Sequence, residues 1–175
     1  VGRPLVYYMG QEEHPDDYQI LIDRFIKSLN ISKDDGLLMV GHGGLGSGNS
    51  SYGNLQFKLI RDGLTNVRIA VLENAPYVAD VATPWEWLDG KRPNTIYLHP
   101  LLLVLGDHAQ NDLFGDEEDS VVNVLKEAGY EVEEMHHALG EYTEIQDIYC
   151  QHIQDCIDDI YGKRSSHRPA IPNIK

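Results

Sequence analysis

Three apolar runs in this sequence each lead into a residue able to hold a metal or move a proton. After 37–40 (LLMV) come Gly41-His42-Gly43-Gly44-Leu45-Gly46-Ser47-Gly48-Asn49. After 67–72 (VRIAVL) comes Glu73, and after 101–105 (LLLVL) come Gly106-Asp107-His108. Two imidazoles and a carboxylate suit first-row divalent ions such as cobalt, nickel, iron and zinc. The set His42, Glu73 and His108 is therefore the candidate metal site. Each member also has a plainer reading. A histidine after a strand is often a hydrogen-bonded structural residue, and Glu73 can cap the segment after it. Gly41-x-Gly43-x-x-Gly46 matches the bare dinucleotide fingerprint, but the next helix opens only near Ser50, and Glu73 lies beyond the usual ~20-residue spacing. His136-His137 offers one further metal contact at most, because successive side chains on a strand point to opposite faces. His14, His99, His152 and His167 read as surface or packing residues. The acidic run 116–119 reads as a solvated helix start.

Such residues need strands to carry them, and the pattern supplies strands alternating with helices. Residues 4–9, 37–41, 67–72, 96–105 (interrupted by Pro100) and 131–135 read as strands. Residues 16–29 and 50–62 carry apolar residues at helical spacing, the second through Tyr52, Leu55, Leu59 and Ile60. Residues 78–88 read as a helix that carries Pro84. Asp116 is expected to cap a helix running to Ala128, with Gly129 stopping it. Thr143-x-x-Gln146 has the capping-box spacing for a helix running to Tyr161. Residues 1–163 then form one α/β lobe, and 164–175 an extended tail. This alternation predicts a doubly wound, mostly parallel sheet with helices on both faces. Most of the strands are near-continuous apolar runs, as burial on both faces requires; 131–135 is charged and reads as an edge. In such sheets ligands bind beyond the carboxyl ends of the strands, where the three candidates fall.

Composition narrows the partners. The 175 residues carry 14 Lys+Arg and 28 Asp+Glu, a formal net charge of 14 − 28 = −14. A duplex nucleic acid or an anionic membrane surface calls for the opposite sign. No apolar run reaches the ~18 residues of a bilayer span. Cys150 and Cys156 lie six apart in a helical segment, ~9 Å along the axis, which is too far for a disulfide. Reduced thiols, and an N-terminus without a signal-peptide pattern, point to a cytoplasmic setting.

Gly41-His42-Gly43, Val71-Leu72-Glu73 with Pro76, the stretch 99–120 (HPLLLVLGDHAQNDLFGDEEDS) and 138–141 (ALGE) resemble the anaerobic-type sirohydrochlorin cobaltochelatases, class II chelatases related to the ferrochelatases. The resemblance spans 37–156 and is strongest mainly for the C-terminal lobe of such enzymes. It implies a metal-inserting lyase of cobalamin biosynthesis. It also implies that His42 binds metal and accepts pyrrole protons, and that His108 and Glu73 are the other ligands. The implied substrates are a divalent ion, cobalt first with iron or nickel as alternatives, and a tetrapyrrole. Long relatives have two lobes, so a first lobe or a second chain is expected to complete the cleft; without it the alternative is a metal- or tetrapyrrole-binding module that does not catalyse. Relatives often carry histidines shortly after Gly-His-Gly, where this chain has Leu-Gly-Ser-Gly-Asn-Ser, a departure that bears on metal preference. The loop 43–51, with its backbone N–H groups and Ser and Asn side chains ahead of a helix, is expected to hold substrate carboxylates.

Overall fold

The computed structural model describes residues 2–160. Four strands form one parallel sheet in the order β2-β1-β3-β4. They are β1 (Gly36–Gly43), β2 (Val67–Glu73), β3 (Thr95–Pro100) and β4 (Glu131–Glu134). Six helices surround them: α1 (Asp17–Arg24), α2 (Ser50–Arg61), α3 (Val78–Val81), α4 (Asp107–Phe114), α5 (Val121–Glu127) and α6 (Thr143–Ile157). Leu37, Met39, Val67 and Ile69 pack on one face against Leu21 and Ile22 of α1, Leu55 and Leu59 of α2, and Ile145 and Ile148 of α6. Leu38, Val40, Ala70 and Leu98 pack on the other face against Leu113 of α4 and Val122 and Leu125 of α5. The fold is thus the doubly wound α/β architecture expected from the alternation.

β1 pairs with β2 on one side and β3 on the other. The chain therefore reverses its winding between β1 and β3, which opens a crevice at their carboxyl ends. β4 is an edge, as its charges foretold. β2 is also an edge, yet its first five residues are buried. The side-chain amide of Gln56, on α2, donates to Val67 O at 3.0 Å and accepts from Ile69 N at 2.9 Å. Val71 N donates to Pro76 O. Side chain and loop thus take the place of a neighbouring strand.

Four expectations need correction. Residues 4–9 form no strand: only Met9 makes an isolated bridge, to Asp16. The backbone of this arm bonds to the start of α1 instead, with Asp17 N donating to Tyr8 O and Tyr8 N donating to the Asp17 carboxylate. The expected helix over 78–88 splits at Pro84, leaving α3 and a 3₁₀ turn at Trp85–Trp87. Asp116 does not cap a helix; α5 starts after Ser120, and a separate helix, α4, precedes it. The Gln146 amide donates to Gly140 O, so Thr143-x-x-Gln146 does not form the reciprocal capping box. Cys150 and Cys156 are free thiols on α6. Among the described residues no helix is long and apolar enough to cross a membrane. The expected tail 164–175, the end of the expected last helix and His167 lie outside the described residues.

Candidate active site

The Gly-His-Gly step is set by its neighbours. A Cβ on Gly41 would lie 2.4 Å from Cε1 of the Tyr52 ring. A Cβ on Gly43, whose φ is +81°, would lie 2.1 Å from the carbonyl oxygen of Glu73. Tyr52 Oη also accepts the Gly43 N–H at 3.4 Å. The phenol of α2 and the end of β2 thus both demand glycine, and His42 stands between them. Along β1 the side chains alternate, so His42 follows Leu38 and Val40 onto the face that α4 and α5 cover. Its ring is exposed, and its Nδ1 makes one long contact, to Gly43 O at 3.4 Å.

Glu73 ends β2 directly opposite Gly43. Two asparagines stitch these loops together. Asn74 donates its amide to Gly44 O at 3.1 Å, while Asn49 donates to Ala75 O at 3.0 Å and Glu73 O at 3.3 Å. The backbones that carry His42 and Glu73 are therefore fixed to one another. Ser50 Oγ donates to Ser47 O. Asn49 and Ser50, two of the loop donors expected to meet substrate carboxylates, are thus engaged with the chain's own carbonyls.

His108 is not at a strand end. It lies in the first turn of α4, exposed, with Gly106 at the N-cap. Asn111 and Asp112 follow at i+3 and i+4, on the same side of the helix. Those two residues share a hollow of about 300 Å³ with Leu72, Glu73, Glu117 and Asp119. The end of β1, the end of β2 and the start of α4 all lie toward the carboxyl edge of the sheet, and all three candidate residues are exposed. Among the described residues, no group of three or more His, Cys, Asp or Glu side chains is placed to hold a metal ion, so the three candidates are not gathered into one ligand set here.

The neighbouring histidines divide by burial. His99, near the end of β3, is fully buried. Its Nδ1 meets Pro100 O at 2.7 Å, so Nδ1 carries the proton and Nε2 accepts from Tyr142 Oη at 3.0 Å. Burial lowers its pKa from 6.5 to about 4, which keeps it neutral. His152 is buried beside Asp17. Both are packing residues, as expected. His136 and His137 lie at the rim, paired with Glu134 at 3.3 Å and Glu141 at 3.2 Å.

A family model described as cobalt chelatase (CbiK) matches residues 1–158. The chain belongs to the cobalt chelatase family. A cobalt chelatase handles a divalent ion as cargo and a tetrapyrrole as its acceptor. Sequence patterning did not single out Tyr52 and Asn74 and read Asn49 as a substrate contact, yet all three hold this region in shape. Tyr52 had counted only as an apolar member of α2, and nothing in its spacing marks the phenol as the reason for Gly41.

Proposed function

We propose that this chain inserts cobalt into sirohydrochlorin, with His42, Glu73 and His108 handling the metal and the released protons. The observation that carries the reading is that three elements bring exposed imidazole, carboxylate and imidazole groups to one sheet edge in a chain of the cobalt chelatase family. Insertion requires a hydrated ion to lose water and two pyrrole N–H protons to leave. His42 and His108 replace water on the ion. As the macrocycle nitrogens take over the metal, His42 is freed to accept one proton. Glu73 offsets the ion's charge while it is held and receives or passes on the other proton. Two imidazoles and one carboxylate leave coordination positions for water and the macrocycle, so the ion can leave.

An absorption assay of sirohydrochlorin with cobalt, iron and nickel in parallel tests function and metal choice together. Cobalt is expected to give the fastest metal-dependent spectral change. His42→Ala and His108→Ala are each expected to lower the rate by ~10²-fold or more with the fold intact. Full activity in either variant overturns the site assignment. Binding of the macrocycle without metal insertion assigns the chain as a non-catalytic module.

A further inference from the structure

His42 and Glu73 lie within β1 and β2, so the sheet itself fixes their backbones. His108 has no such support. After β3 ends at Pro100, residues 101–106 belong to no helix or strand until α4 opens at Asp107. The path of this connection is set by a second loop. Leu101 N donates to Val40 O at 2.7 Å; beyond it, Leu139 N donates to Leu102 O at 2.8 Å and Gly140 N to Leu103 O at 3.0 Å. The approach at Gly140 leaves no room for a side chain, since a Cβ there would lie 2.7 Å from Leu103 O. Residues 138–141 thus lie along 101–103 like a splint.

The splint is organised from within and pinned at its far end. The Glu141 carboxylate accepts the Ala138 N–H at 2.7 Å. Tyr142, at the N-cap of α6, donates its hydroxyl to Nε2 of His99 at 3.0 Å, while the Nδ1–H of His99 donates to Pro100 O at 2.7 Å. One buried imidazole therefore ties the last residue of β3 to the residue that ends the splint. Because burial keeps that ring neutral, Nε2 retains the lone pair that the phenol needs. Phe25 stands edge-on to both rings, 5.6 Å from His99 and 4.7 Å from Tyr142.

We propose that Tyr142 is a positioning residue for His108. Its hydroxyl holds the splint, the splint holds 101–103, and that connection carries the imidazole to the sheet edge. The inference rests on the chelatase reading above. A group that takes an ion and passes it on works only at a set place, and a displacement of about 1 Å there costs up to ~10²-fold in rate. Without the hydroxyl, Nε2 of His99 is buried and unpaired, and the splint loses its pin.

Two readouts on the full chain test this, and the first needs no catalysis. The imidazole signals of His108 in proton–carbon NMR are identified by their loss in His108→Ala. Tyr142→Phe is expected to shift them more than it shifts those of His42. The second readout is cobalt insertion into sirohydrochlorin per folded molecule: kcat falls about tenfold, while KM for sirohydrochlorin stays within about threefold. Gly140→Ala pushes on Leu103 O and leaves the Tyr142 hydroxyl in place. It gives the same pattern and carries the test if Tyr142→Phe does not fold. His108 signals that stay in place, or a kcat within about twofold of the wild type, overturn the proposal. Lower thermal stability with unchanged kcat is the result that a merely structural Tyr142 would give, and it overturns the proposal as well. A wild type that does not metallate sirohydrochlorin defeats the chelatase reading instead, and the NMR shift still decides whether Tyr142 places His108.

Discussion

Two regions of this molecule use the same side-chain types to opposite ends. Beneath the N-terminal arm, the Arg3 guanidinium donates to Asp17 at 3.1 Å and Asp155 at 2.7 Å, and His152 lies 3.5 Å from Asp17. The Asp17 side chain has no exposed surface. Burial pushes its pKa up, but hydrogen bonds from His152 and the Tyr8 N–H, with the charge of Arg3, outweigh that and hold it below the ordinary carboxylate value. At the carboxyl edge, His42, Glu73 and His108 are exposed and weakly engaged. In the first region the carboxylate is satisfied by the fold and the histidine is buried against it, with its Nδ1 left without a hydrogen-bond partner; in the second the groups are exposed. Burial and existing partners, more than residue type, separate the packed groups from those proposed to act.

The comparison can be broken by exchanging the outcomes. Asp17→Asn leaves Arg3 and His152 facing a neutral group in the interior. It is expected to cost about 3–5 kcal/mol in urea unfolding, while the insertion rate per folded molecule stays within about twofold of the wild type. His42→Ala should do the reverse, leaving stability within ~0.5 kcal/mol while insertion fails. If either substitution behaves like the other, the division is wrong.

His99 sharpens the same contrast because it is neutral through burial. Its folded pKa of about 4 lies below its ordinary 6.5, so the unfolded chain binds more protons between those values. Stability from this group is fully present above pH 6.5 and is lost as pH falls toward 4. The loss amounts to ~3 kcal/mol. Thermal unfolding across that window should show a flatter pH dependence in His99→Gln than in the wild type.

Gly41 and Gly43 join the two behaviours, since packing there shapes the exposed step. Gly43→Ala places a methyl on the Glu73 carbonyl at a positive φ, with an expected loss of about 1–3 kcal/mol. Gly41→Ala meets the Tyr52 side chain first, so adding Tyr52→Ala should recover part of the lost insertion rate. A double variant no better than Gly41→Ala alone removes Tyr52 from the explanation. The smallest effect is expected at Gln56. Gln56→Leu frees one donor and one acceptor on β2, for about 1–2 kcal/mol in urea unfolding and a measurable rise in self-association by light scattering.

Much of the fold could be read from the sequence because burial on both faces writes itself as apolar runs. That holds for β1, β2 and β3, and α2 is legible through its apolar spacing. Residues 4–9 misled for the same reason: they are apolar because the arm packs on the core, but their hydrogen bonds go to α1. Helix α4 was missed because only Leu113 of its eight residues is buried, which leaves no stripe to detect. The site could be read as three chemical groups after three apolar runs. Its shape could not, because Tyr52, Asn49 and Asn74 act through contacts that no local spacing encodes.

The sealed margin of β2 has a mechanical consequence. With Gln56 and Pro76 already filling its outward valences, a neighbour on that side can join the sheet only by first displacing them. Whatever approaches that margin meets a side chain and a loop in place of a free row of backbone donors and acceptors.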